Sequence, residues 1–416
     1  MLSVYSNFLR NFFFKMVKIP ISPWPCFTEE EVDSVSKVLL SNKVNYWTGD
    51  ECQNFENEFA QQVGVKYAIS VANGTVALDL AMISLGIGPG DEVIVTSRTY
   101  IASATSILNV GASTVFVDVN LDTQNIDTQK ILGAITKKTK AILCVHFAGW
   151  PCDMDPILDI AKKHNLFVVE DCAQAHGALY KGKSVGSIGH LNAWSFCQDK
   201  IITTGGEGGM ITTNDKDLWL KAWSYKDHGK SWKKTHEKHV TKGFKWVHDT
   251  IGTNWRMTAM QAAIGRVQLR RLPNWGRVRR SNMAALHQAL QNSSIFRVPM
   301  PLCQGCDGKC KPKSLCVHAA YKCYFFVKGN ESLRNRAFDE FEKRGVNCFT
   351  GSCSEIYLEK AFDDIPLSLE GRLPNAKELG ETSLMLQCHP TITHKEIQEM
   401  CKIIREVNDY LSDYQG

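Results

Sequence analysis

Apolar positions recur along this chain with two different periods, and the alternation between them predicts its architecture. From Thr28 the spacing of Val32, Val35 and Leu39 predicts a helix with those residues on one face, opened by a Thr28–Glu31 capping box. Phe55, Phe59 and Val63 mark a second helical face. Then short β-branched runs take over. Tyr67–Val71 reads as a strand, and Asn73-Gly74-Thr75 turns into a helix carrying Leu78, Met82 and Leu85. A Gly-Pro-Gly-Asp turn leads into a strand at Glu92–Thr96, with a helix from about Ile101. The series continues with strand Thr114–Val119, a short helix near Thr128–Ile135, strand Ala141–His146, helix Pro156–His164 and strand Leu166–Glu170.

Short strands separated by helices mean βαβ units and a mostly parallel sheet, whose ligands bind at the carboxyl ends of strands beside helix N-termini. After Leu269 a long helical segment runs through Trp275–Leu290, followed by a cysteine-bearing loop and the strand Ala320–Val327. The expected division is an extension at 1–18, a large domain at 19–275 and a smaller α+β domain at 276–416, with the N-terminal segment packing near the small domain.

Composition narrows the function classes. Of 416 residues, 48 are basic and 43 acidic, a formal charge of +5, so charge alone implies neither nucleic acid nor a membrane surface. The fifteen cysteines are mostly scattered singly through strand- and helix-like runs, as suits reduced thiols in a cytoplasmic protein. The N-terminus is aromatic and basic, but Arg10 and Lys15 break its apolar runs, so the expectation is an extension outside the fold rather than a secretory core. No run is long and apolar enough to span a bilayer.

Three strand ends carry chemistry. Asn73-Gly74-Thr75 offers a glycine, free helix amides and a hydroxyl, which together make an anion cup; the plainer reading is a helix cap. Asp171 follows the apolar run Phe167-Val168-Val169, so its carboxylate emerges at a buried strand end, where a cap or a buried ion pair are alternatives. Ser195 ends another strand, Lys200 follows, and Gly205, Gly206, Gly208 and Gly209 lie just beyond, a density that is costly unless backbone passes close to something. Neither G-x-G-x-x-G nor a P-loop is present. Pyridoxal 5'-phosphate (PLP) chemistry needs a phosphate cup, a carboxylate for the ring nitrogen and an amine for the aldehyde. The three strand ends supply them in that order.

The sequence resembles the DegT/StrS group of PLP-dependent sugar aminotransferases in VNYWTG, ANGTVALDLA, GPGDEVIV, VHFAGWP, EDCAQAHGA, SFCQDKIITTGGEGGM, GTNWRMTAMQAAIG and ETSLMLQCHP, spread over roughly residues 20–410. The resemblance implies the aspartate-aminotransferase fold (PLP-dependent transferase fold type I), with a mostly parallel seven-stranded sheet, and a homodimer with active sites at its interface. It makes Lys200 the covalent lysine and proton-transfer base, and Asp171 the partner of the ring N–H. It puts Gln174 at the ring hydroxyl and Tyr100 stacked on the ring. Gly74, Thr75 and Ser195 become phosphate ligands, and Asn254 reaches the phosphate across the dimer interface. The implied reaction moves an amine from L-glutamate to the keto group of a nucleotide-linked (UDP, GDP or dTDP) deoxy hexose, for surface polysaccharide or lipopolysaccharide.

Substrate contacts are expected from Trp47, Lys226, His228 and Arg256. The cations between Lys226 and Trp246 suit a diphosphate, with a solvated basic loop as the alternative, and Arg256 also fits an interface ion pair. The spacing Cys303-x2-Cys306-x3-Cys310-x5-Cys316 departs from paired zinc knuckles, so a reduced loop and no metal are expected. Three rivals remain: a sugar dehydratase on the same scaffold, in which histidine replaces the lysine, a regulatory protein with the chemistry lost, and a zinc-binding module. Lys200 argues against the first two.

Overall fold

The computed structural model describes residues 21–237, 246–299, 315–367, 369 and 371–415. Seven strands form the main sheet: β1 (Tyr67–Val71), β2 (Glu92–Thr96), β3 (Ser113–Val117), β4 (Thr139–Val145), β5 (Phe167–Asp171), β6 (Leu191–Ser195) and β7 (Gly209–Thr213). Their order is β1-β7-β6-β5-β4-β2-β3, and only β7 runs antiparallel to its neighbours. Alternating residues serve two cores. Ile94, Ile142 and Val168 pack with the helix Met154–His164 on one face, while Val95, Leu143 and Val169 pack with the helix Gly74–Ser84 on the other. Burial on both faces is why these strands read as continuous apolar runs; each fully buried valine contributes about 1.5–3 kcal/mol.

A second sheet of three antiparallel strands, β8 (Phe296–Arg297), β9 (Cys323–Val327) and β10 (Ser383–Leu386), lies under the helices Glu331–Lys343 and His394–Gln415. Between the sheets runs one helix, Ala259–Leu290, opened by a Thr258–Gln261 capping box; the expected boundary at 275 falls inside it. The N-terminal segment reaches the C-terminal part, where the Ser22 amide donates to Glu396 (2.8 Å) and Trp24 stacks on His389.

One predicted face is corrected. Val32 and Leu39 are exposed, and the helix Glu29–Ser41 instead buries Glu31 and Val38. Glu31 is drawn inward by Arg271 (2.8 Å) and Gln268 (3.2 Å) of the long helix, and Val38 packs on Ala259 and Ala263. A buried ion pair and a small-residue stripe turn the helix by roughly a quarter from the face that periodicity alone assigned, leaving Val35 half-buried. Residues 1–18 and Cys303, Cys306 and Cys310 lie outside the described residues. Among the described residues no helix is long and apolar enough to cross a membrane, and no disulfide joins two cysteines.

Candidate active site

A cleft of about 560 Å³ opens over the carboxyl ends of β1, β5 and β6. Gly74, Thr75, Tyr100, Asp171, Gln174, Ser195 and Lys200 all line it, so three separately predicted strand ends converge on one space.

At one end the chain leaves β1, and the Asn73 side chain caps the following helix by accepting from the Val76 amide (2.9 Å). The first amides, those of Gly74 and Thr75, have no acceptor within a helix and remain available to an anion. A Cβ on Gly74 would lie 2.6 Å from Ser195 Cβ, so only glycine lets β6 deliver its hydroxyl beside those amides. The last glycine of the glycine-dense turn has the same cause. A Cβ on Gly209 would stand 2.3 Å from the Asn73 carbonyl oxygen, where β7 passes against the cup.

Asp171 forms the opposite, inner wall. Its Oδ2 accepts from the Ser103 hydroxyl (2.8 Å) and its Oδ1 from the Ala173 amide (3.1 Å). Burial nevertheless pushes its carboxyl above the usual range, against the pull of these bonds and of Lys200. A buried carboxylate in this state gains from a cationic N–H ligand. Behind it, His146 Nε2 lies 2.8 Å from Glu170, whose carboxylate also accepts from the amides of Gly186, Ile188 and Gly189. His146, Glu170 and Cys172 are close enough to share a metal, but all are buried and Glu170 is saturated by donors, which suits a brace for β5. Gln174 is held by the Ala148 amide (2.7 Å), and Tyr100 stands exposed at the rim.

Lys200 leaves its amine inside the cleft, 3.4 Å from the Tyr321 hydroxyl and 3.6 Å from Asp199. Tyr321, Asp199 and Ser103 were missed from the sequence. Asp199 lies within the glycine-rich motif run, but nothing local marks Tyr321, which arrives from the segment before β9.

The expected substrate contacts Trp47, Lys226, His228 and Arg256, and the expected phosphate ligand Asn254, do not line this cleft. They gather elsewhere, around Asp227. Asp227 is fully buried and takes Arg256 at 2.8 Å and Lys230 at 3.0 Å. Lys230 in turn covers the Trp47 ring at 4.2 Å. Arg256 therefore pairs within its own chain. His228 is exposed, its backbone bonded to Thr253 (2.9 Å). Asn254 is exposed and bridges to Asp227. Lys226 departs from the expectation of a diphosphate contact. It is wholly buried, with its ammonium 3.3 Å from the Tyr46 ring centroid, and burial pushes it down to about 8. A ligand phosphate has no route to it.

The cup, the carboxylate and the amine thus fit PLP in size and chemistry. The chain is 36% identical over 397 residues to the GDP-perosamine synthase of Escherichia coli O157:H7, covering 94% of this chain and 98% of that protein. It is 41% identical over 394 residues to the spore coat polysaccharide biosynthesis protein SpsC of Bacillus subtilis, covering 92% and 95%. Its structure superposes on that of the aminotransferase from Psychrobacter cryohalolentis with a TM-score of 0.89 and 53% identity, over 94% of this chain and 100% of the other. The DegT/DnrJ/EryC1/StrS aminotransferase family matches residues 25–405. The chain belongs to that family and is a PLP-dependent aminotransferase.

Proposed function

We propose that this aminotransferase carries an amino group from L-glutamate to the keto group of a nucleotide-linked deoxy hexose. The observation that carries the reading is the Lys200 amine standing in one cleft with the Asp171 carboxylate and the Gly74–Ser195 cup. PLP, when bound, supplies the electron sink that weakens a C–H bond beside nitrogen. Gly74, Thr75 and Ser195 would hold its phosphate, Asp171 would keep its ring nitrogen protonated, Gln174 would meet the ring hydroxyl and Tyr100 would cover the ring. Lys200 would hold the aldehyde and then move the proton between carbon atoms.

The sugar nucleotide is supported by the relatives, one named for a GDP-linked amino sugar and another for polysaccharide synthesis. A lysine at position 200 favours amine transfer over dehydration. The position of Trp47, His228 and Asn254 outside their own cleft suits a homodimer in which Asn254 serves the partner's phosphate and Trp47 and His228 face its sugar nucleotide. A cytoplasmic place and a product used in surface polysaccharide or lipopolysaccharide complete the reading.

The test is a panel of GDP-, dTDP- and UDP-linked keto sugars offered with L-glutamate, with 2-oxoglutarate release as readout. Release that depends on one keto-sugar nucleotide is expected. Release with none of them, from protein that holds PLP, would overturn the substrate assignment.

A further inference from the structure

Tyr321 and Asp199 stand against the Lys200 amine, and none of the roles above uses them. Asp199 precedes the lysine in sequence, while Tyr321 comes from the segment leading into β9. Tyr321 is held by its backbone: its amide donates to the Ala148 carbonyl (3.1 Å) and its carbonyl accepts from Arg279 (3.4 Å). Its ring is buried and its hydroxyl donates to Asp199 Oδ2. On the other side the same hydroxyl oxygen lies 3.4 Å from Lys200 Nζ, while Asp199 Oδ1 lies 3.6 Å from that nitrogen. The lysine backbone is fixed too, because Trp24 Nε1 donates to its carbonyl (2.9 Å).

The proton count decides what this arrangement does. A phenol has one proton, and here Asp199 takes it, so toward Lys200 the tyrosine oxygen is only an acceptor. Burial and the neighbouring Asp199 carboxylate both push the phenol's ionisation well above its ordinary value, so that proton stays in place. An amine facing this oxygen must point one N–H at it, which restricts where its remaining valences lie. A long, flexible side chain gains most from such a fixed acceptor while it is free of any covalent bond.

We propose that Tyr321, backed by Asp199, is a positioning residue that orients the Lys200 amine for attack on the PLP aldehyde and for later proton transfer. The inference rests on the reading of Lys200 as the covalent lysine. In the attack the amine nitrogen forms a double bond to the aldehyde carbon, and the aldehyde oxygen leaves as water with the two amine protons.

The experiment follows growth of the visible band when PLP is added back to PLP-free protein. At saturating PLP the first-order rate reports the covalent step alone. Tyr321→Phe and Asp199→Asn should each slow that step about tenfold or more, with half-saturation by PLP within about twofold of wild type. In turnover, kcat should fall while KM for the keto sugar holds. Either variant capturing PLP at the wild-type rate overturns the proposal. Asp199 is more than half exposed at its side chain, so Asp199→Asn decides the matter alone should Tyr321→Phe fail to fold. Lys200→Ala is the control: if it still forms the visible band, the reading of Lys200 falls instead.

Discussion

Two polar clusters of this chain carry residue types suited to phosphate, yet they are built differently. The cleft is assembled by backbone: Asn73–Thr75, Asp171 and Ser195 sit where strands end, and the parallel order of β1, β5 and β6 brings those ends together. The cluster of Lys226, Lys230 and Arg256 is assembled by side chains around one buried carboxylate, Asp227, with Tyr46 and Trp47 as aromatic lids. In the first, polar groups line a cleft large enough for a ligand. In the second, cations are consumed by the protein itself. Charge in a sequence therefore says little about ligands until it is known whether backbone or side chains set the geometry.

The comparison breaks if changes in the two clusters have the same consequences. The largest effect is expected at the cleft. Asp171→Asn should lower kcat/KM by about 10²–10³-fold, as removal of a fixed electrostatic partner commonly does. Its urea midpoint should hardly move, because asparagine keeps partners in Ser103 and the Ala173 amide. Gly74→Ala comes next. Its Cβ would press on Ser195 at 2.6 Å, and the overpacking, roughly 1–3 kcal/mol, should appear as weaker PLP binding in a titration of the visible band.

The smallest effect is expected in the side-chain cluster, and in stability rather than catalysis. Folded Lys226 loses its proton near pH 8, whereas an unfolded lysine holds it to near 10.5. Between those values the unfolded chain binds more protons, so this group makes stability rise with pH. Lys226→Met should abolish that rise, on the order of 1–3 kcal/mol, and leave kcat within about twofold. Urea midpoints of both proteins at the two ends of the window measure it. An unchanged pH dependence, or a collapse of kcat, would erase the distinction between the clusters.

What was legible in the sequence follows the same division. Strands such as Phe167–Asp171 declare themselves because burial on both faces calls for an unbroken apolar run, here Phe167-Val168-Val169, and glycines declare themselves where chains must pass close, as at Gly74 and Gly209. Tyr321 was hidden because its contact with Lys200 is made across the fold by a residue with no local pattern. Lys226 was misread for a related reason. It lies in a run of cations that looks solvated, and its burial is decided by Tyr46 and Glu56, far away in the sequence. The rotation of the helix Glu29–Ser41 was likewise set by Arg271 rather than by its own apolar spacing.

The central claim, that the strand-end cleft holds PLP on Lys200, is tested most directly by trapping the bond. Borohydride reduction of the PLP-loaded protein, followed by peptide mapping, should place a phosphopyridoxyl group on Lys200 and bleach the visible band. A label on another lysine, or no label on protein that contains PLP, would contradict the account.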